Sequence, residues 1–184
     1  VAICEQLEDP KMTKKIVKRG VTELITPGVS LNDQILDGGK NNFLASVYFN
    51  DKLNGVSFLD ISTGSFFVAE GSLDYINKLL VNFSPTEVLI PKKFKQNINQ
   101  KISSNFYYYP VDDWLFSHDY ATGELESQFK NKSLKGFGVD KMSAGLIASG
   151  IILYYLKQTQ HDKLDHILNI KRIDRDDYVW MDQF

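Results

Sequence analysis

Asp60 has more chemistry open to it than any other side chain in the sequence. It ends an apolar run and precedes Ile61-Ser62-Thr63-Gly64. A carboxylate there could hold a divalent cation for phosphoryl transfer. Two-metal chemistry needs several carboxylates converging on ions about 3.5–4 Å apart. The available partners are Glu70, Glu87, Asp112, Asp113 and Asp140, and none stands at a spacing that marks it out. The other reading is that Asp60 accepts hydrogen bonds from Ser62 or Thr63 and shapes a turn. The missing partners favour this second reading. His161, Asp162, Asp165 and His166 form a second cluster. On a helix Asp162 and His166 would share a face, which suits a metal, but no third ligand and no H-E-x-x-H follow. Cys4 has no His or Asp constellation beside it and reads as a small apolar residue. No G-x-x-x-x-G-K-[ST] occurs, so a P-loop nucleotide site is excluded, and Gly136-Phe137-Gly138 is too short for a phosphate fingerprint. Lys11, Lys14, Lys15, Lys18 and Arg19 could contact phosphates. Without interleaved aromatics they read better as a solvated face.

Composition narrows the classes further. The 184 residues are 43% hydrophobic and 24% charged, with a net charge of −2. That is ordinary for a globular domain with flanking pieces and carries no global signature of a nucleic-acid binder. One cysteine allows no internal disulfide and fits a reducing compartment. The longest apolar run, residues 144–156, falls short of the about 20 residues that a membrane span needs. It predicts a buried helix instead, and no partner membrane. The chain starts at Val1 and ends without a terminating signal, as a piece of something longer would.

The elements that would position these residues centre on residues 43–70. Alternation and turn residues predict an antiparallel three-strand meander over 43–49, 56–61 and 65–69, with Gly64 supplying a turn. Both faces of these strands are apolar, which predicts helices on both faces of the sheet. Residues 73–82 have helical spacing, with Ser72 as N-cap. Residues 87–90 read as a buried strand reached by a crossover. Further along, the pattern predicts a weak helix in 92–104, a strand at 106–109, helices at 112–118 and 120–130, and a core helix at 140–158. Residues 161–170 turn away, and 178–181 form a strand or begin another domain. Upstream, strands are predicted at 1–6 and 17–26. Pro27-Gly28 and the polar stretch to residue 42 form the best domain boundary.

Taken in order, VAICEQLEDP at the start, VKRGVTELITPGV, NNFLASV, LDISTGSF, SPTEVLIP, GVDKMSAGLIASG and the terminal MD closely resemble MutS-type DNA mismatch repair proteins. The resemblance covers essentially the whole chain. It implies an α/β fold with a ribonuclease H-like mixed sheet, the antiparallel meander plus further strands, flanked by helices on both faces. Residues 1–28 would be the tail of the mismatch-binding domain, 29–170 the connector domain, and 171–184 the start of the core, or lever, domain. In such a connector Asp60 and His166 are structural.

The implied role is transmission of conformational signals between mismatch-binding and ATPase regions, and presentation of a surface to MutL. The implied partner residues, on the predicted helix at 120–130, are Gly123, Glu124 and Gln128. Here the pair Gly123-Glu124 departs from the paired glutamines of a relative. Helical spacing directs Leu125 and Phe129 inward and Glu124 with Gln128 outward, while Trp114, Phe116 and Tyr120 offer aromatic anchors. The family's mismatch-reading Phe-x-Glu is absent, as is the P-loop. No cofactor is therefore assigned to these residues, and they are not expected to form an enzyme. ATP and Mg would bind elsewhere in the parent protein, a cytoplasmic, DNA-associated homodimer holding mismatched double-stranded DNA. The competing class is a metal-dependent nuclease or phosphotransferase of the ribonuclease H-like kind, using Asp60. A minor DNA-binding role for residues 11–19 is a third.

Overall fold

The computed structural model describes residues 1–9, 11–12, 16–29, 41–102, 104–130, 133–159, 161 and 164–174, with only the backbone of Glu23. Strands β1 (Ala2–Gln6) and β2 (Arg19–Leu24) pair antiparallel in a sheet of their own. The meander follows as β3 (Phe43–Tyr48), β4 (Asn54–Asp60) and β5 (Ser65–Gly71). Helix α1 (Leu73–Phe83) crosses to β6 (Glu87–Pro91), which runs parallel to β3. After α2 (Ile98–Lys101), strand β7 (Tyr108–Val111) adds parallel to β6. Helices α3 (His118–Gln128) and α4 (Ser143–Gln158) come next, and β8 (Lys171–Arg172) closes the other edge parallel to β5. The strand order β7-β6-β3-β4-β5-β8 is ribonuclease H-like: a meander with parallel strands added beside its first strand.

The two apolar faces of the meander are covered as expected. Leu44, Leu59, Phe66 and Val68 pack under α3 and α4. Ala45, Val47, Phe58 and Ala69 pack under α1. The Ser72 hydroxyl accepts the Tyr75 amide and starts α1, as its type and place predicted. Gly64, at φ 70, makes the turn between β4 and β5. Gly55 serves close approach, because a methyl group there would overlap the Ala144 carbonyl of α4.

Several boundaries differ from the pattern-based expectation, each for a local reason. The strand expected to stop before Pro110 includes it, because β7 is an edge strand where proline's missing N–H leaves no ladder bond unmade. The core helix starts at Ser143 rather than 140, where the Glu70 carboxylate accepts the Ala144 and Gly145 amides at 3.1 and 3.2 Å. The helix expected at 112–118 is a single 3-10 turn, Asp113–Leu115. Helix α3 begins at His118 because Ser117 accepts the Tyr120 amide. The basic stretch 92–104 holds a 3-10 turn and the short α2. The strand or new domain predicted at 178–181 lies outside the described residues, as does most of the linker at 31–42.

Candidate functional site

Asp60 is 1% exposed at the end of β4. Its Oδ1 accepts from the Ser62 amide at 2.9 Å, the Ser62 hydroxyl at 2.6 Å and the Thr63 amide at 3.4 Å. Oδ2 is buried without a hydrogen-bond partner among the described residues. The acids that might join it are dispersed. Glu70 caps α4, Glu87 lies in another polar cluster, Asp112 pairs with Lys92 at 3.3 Å, and Asp113 accepts the Lys93 amide. Among the described residues no group of three His, Cys, Asp or Glu side chains could hold a metal. Through its bonds to Ser62 and Thr63 the Asp60 carboxylate closes the turn after β4.

The His161–His166 region is also dispersed. The protonated Nε2 of His166 donates to the Ile61 carbonyl at 2.6 Å. Asp165 pairs with Lys130 at 2.8 Å, and that ammonium group holds the Asp165 carboxyl below its ordinary value. Asp162 lies outside the described residues. Lys11, Lys18 and Arg19 are exposed, while Lys14 and Lys15 also lie outside them.

On α3, spacing and packing part company. Gly123 is exposed, and a side chain there would meet open space. Glu124 and Gln128, assigned outward by their shared face, both turn back onto the protein. The Glu124 carboxylate reaches Lys157 of α4 at 2.5 Å, with its side chain 16% exposed. Burial and the neighbouring Glu124 carboxylate together push the Tyr120 phenol up to about 12. Gln128 Nε2 donates to the carbonyls of Leu164 and Ile167 at 2.8 and 3.2 Å. The face holding Glu124 and Gln128 is thus partly covered by α4 and the returning 164–167 segment. The outward rows of α3 instead carry His118, Thr122 and Glu126, which line a cleft of about 450 Å³ with Ser133, Lys135 and Asp140. Among the aromatics, Trp114 is 69% exposed and meets Tyr120 edge-on at 6.1 Å. Phe116 and Phe129 are buried, and Leu125 faces inward as its spacing requires.

A second polar cluster holds the junction between the small sheet and the large one, and it centres on Glu87, which is fully buried. Its Oε2 accepts the Thr26 hydroxyl at 2.6 Å and the Gly28 amide at 3.0 Å. Its Oε1 accepts the Tyr155 hydroxyl at 2.8 Å. Burial, only partly offset by Thr26, holds the Tyr155 phenol well above its ordinary range, and Glu87 adds to the rise. In the sequence Glu87 stands out only as a candidate metal partner for Asp60. An acid heading the otherwise apolar β6 was the available signal of a buried polar role.

The family model described as MutS domain II matches residues 42–168, and the one described as MutS domain I matches residues 1–34. The chain belongs to the MutS family. DNA mismatch repair protein MutS from Flavobacterium psychrophilum is 59% identical over 184 residues, which is 100% of this chain and 21% of that protein. MutS from Christiangramia forsetii is 56% identical over the same 184 residues, again 21% of its length. The chain therefore spans about a fifth of the curated MutS proteins it matches. Among solved structures, a Fowlpox virus resolvase in complex with Holliday junction DNA superposes with a TM-score of 0.44. It has 12% identity and covers 63% of this chain and 97% of the resolvase. Strands β3 to β7 and helices α1 to α4 lie within the MutS domain II match and the β1–β2 pair within the domain I match, while β8 lies beyond both.

Proposed function

We propose that this chain is the connector module of a MutS-type mismatch repair protein, carrying conformational signals between its mismatch-binding and ATPase regions. The observation that carries this reading is how the two ends of the large sheet are held. The incoming chain is tied by Thr26 and Gly28 to Glu87, and the outgoing chain by β8 to β5. A packed body tied at both ends can move as a unit and pass a displacement from one end to the other. In this reading residues 1–28 end the mismatch-binding domain, 29–170 form the connector and 171–184 open the core domain. Mismatched DNA, ATP and Mg bind in the rest of a homodimeric, cytoplasmic parent protein.

The MutL-facing surface would run along α3, with Gly123 its exposed centre and Glu124 and Gln128 behind it. The test uses full-length protein. Gly123→Arg, aimed into open solvent at a helical position, should not lower the melting temperature and should weaken MutL binding. Wild-type affinity would place the MutL surface elsewhere. The connector reading itself predicts mismatch-stimulated ATP turnover by the full-length protein, and its absence would overturn that reading. The competing nuclease reading requires cleavage of single-stranded, duplex or hybrid substrates with Mg²⁺ or Mn²⁺, abolished by Asp60→Asn.

A further inference from the structure

We infer that Glu87 is a latch: it fixes the end of the mismatch-binding domain to the connector's core, so that the two move as one body at residues 24–29. The inference rests on the connector reading above. Four kinds of contact converge at the junction. The Leu24 amide donates to the Thr159 carbonyl at 3.1 Å, at the end of α4. Thr26 and Gly28 both donate to one oxygen of Glu87. Asn42 Nδ2 donates to the Pro27 carbonyl at 3.1 Å, and Thr86, next to Glu87, donates to Asn42 Oδ1 at 2.7 Å. Val29 is fully buried in the core under α4.

Glu87 is central to this set because its two oxygens take different partners, one the incoming chain and one Tyr155 of α4. A buried carboxylate has strong need of such donors, so ordering the junction and satisfying Glu87 are a single event. Gly28 is required on the same grounds. A methyl group there would stand 2.9 Å from Glu87 Cβ, 3.0 Å from its Oε2 and 2.8 Å from Leu44 Cδ1. Among the described residues the β1–β2 pair shows no comparable hydrogen-bonded anchor to the large sheet before Leu24. Val1, Leu7, Met12 and Ile16 are exposed there, so the latch is the seam through which its position is set.

The test is hydrogen–deuterium exchange on the full-length protein. Glu87→Ala and Gly28→Ala should each raise exchange in residues 24–29 by about tenfold or more, with β3, β4 and β5 unchanged. Glu87→Gln should restore protection. Its amide oxygen can accept from Thr26 and Gly28 while its NH₂ donates to the Tyr155 oxygen. Adding Thr26→Val to Glu87→Ala should give no further increase, because both remove the same bond. Unchanged exchange at 24–29 in Glu87→Ala overturns the latch. So does an equal rise across the central sheet, which would make Glu87 a general core residue. Mismatch-stimulated ATP turnover separates the two readings. If wild type shows none, the connector reading fails. If wild type shows it and Glu87→Ala keeps it in full while 24–29 loosens, the latch does not transmit and this inference fails.

Discussion

At the scale of single residues, Gln128 and Phe129 divide the work of α3's last turn. Phe129 is 3% exposed, so Phe129→Ala should destabilise by about 3–5 kcal/mol, as buried aromatic truncations do. Gln128→Ala should cost about 1 kcal/mol, by leaving the Leu164 and Ile167 carbonyls without their donor. Chemical denaturation of both variants checks the ordering, and a Gln128→Ala midpoint equal to wild type would return that side chain to the surface. Tyr120 gives a pH prediction. Its folded pKa, about 12, lies above the ordinary phenol value, with burial the first cause and Glu124 the second. A raised value means the unfolded chain loses the proton first. Tyr120's contribution is therefore intact below the ordinary phenol pKa of about 10 and is lost as pH climbs from there towards about 12. Denaturation midpoints measured across that range should fall less steeply in Tyr120→Phe than in wild type.

At the scale of elements, glycine separates strand from helix. Gly55→Ala should strongly destabilise the protein, because β4 and α4 approach each other there with no room for a methyl group. Gly123→Ala should do the opposite and stabilise α3 by about 0.5–1 kcal/mol, since its position is helical and open. Thermal melts of the two variants should therefore shift in opposite directions. Gly150 belongs with Gly55, since its missing side chain lets α4 seat against Ala121 of α3. The β1–β2 pair is the least supported element. Its strands pair with each other and its residues are largely exposed, so its amides should exchange faster than those of β3 and β4. Equal protection in the isolated chain would contradict this.

At the scale of the whole molecule, charge and topology set what the chain does alone. With a net charge of −2 and no mismatch-reading Phe-x-Glu, it should bind DNA only non-specifically, with a dissociation constant of about 10⁻⁴–10⁻⁶ M at physiological salt. Titration with matched and mismatched duplexes checks this, and a clear preference for the mismatch would refute it. No helix among the described residues is long and apolar enough to cross a membrane. The two ends of the connector leave from different parts of the sheet, one beside β6 and α4 and the other along β5. The path from residues 24–29 to β8 therefore crosses the sheet.

The meander was legible in the sequence by itself, because alternation over residues 43–70 is a local signal and both apolar faces demanded cover. The Ser72 cap, the Gly64 turn and the inward Leu125 and Phe129 were legible for the same reason, each depending on neighbours within a turn or two. Ordered motifs from VAICEQLEDP onward carried the family. Long-range partners were not legible. Glu124 and Gln128 share a helical face, but spacing cannot say whether that face meets water or another element. Only the packing of α4 and residues 164–167 against α3 gave both side chains partners on the protein. The same holds for the acids. Nothing near Glu87 or Glu70 in the chain shows that one meets Thr26, Gly28 and Tyr155 while the other caps α4. A carboxylate's role is set by the donors that folding brings within about 3 Å of it. The donors to Asp60, on Ser62 and Thr63, are local, and its turn was legible. For Glu70 and Glu87 those donors lie tens of residues away in sequence, so only the tertiary structure could assign Glu70 to a cap and Glu87 to the junction.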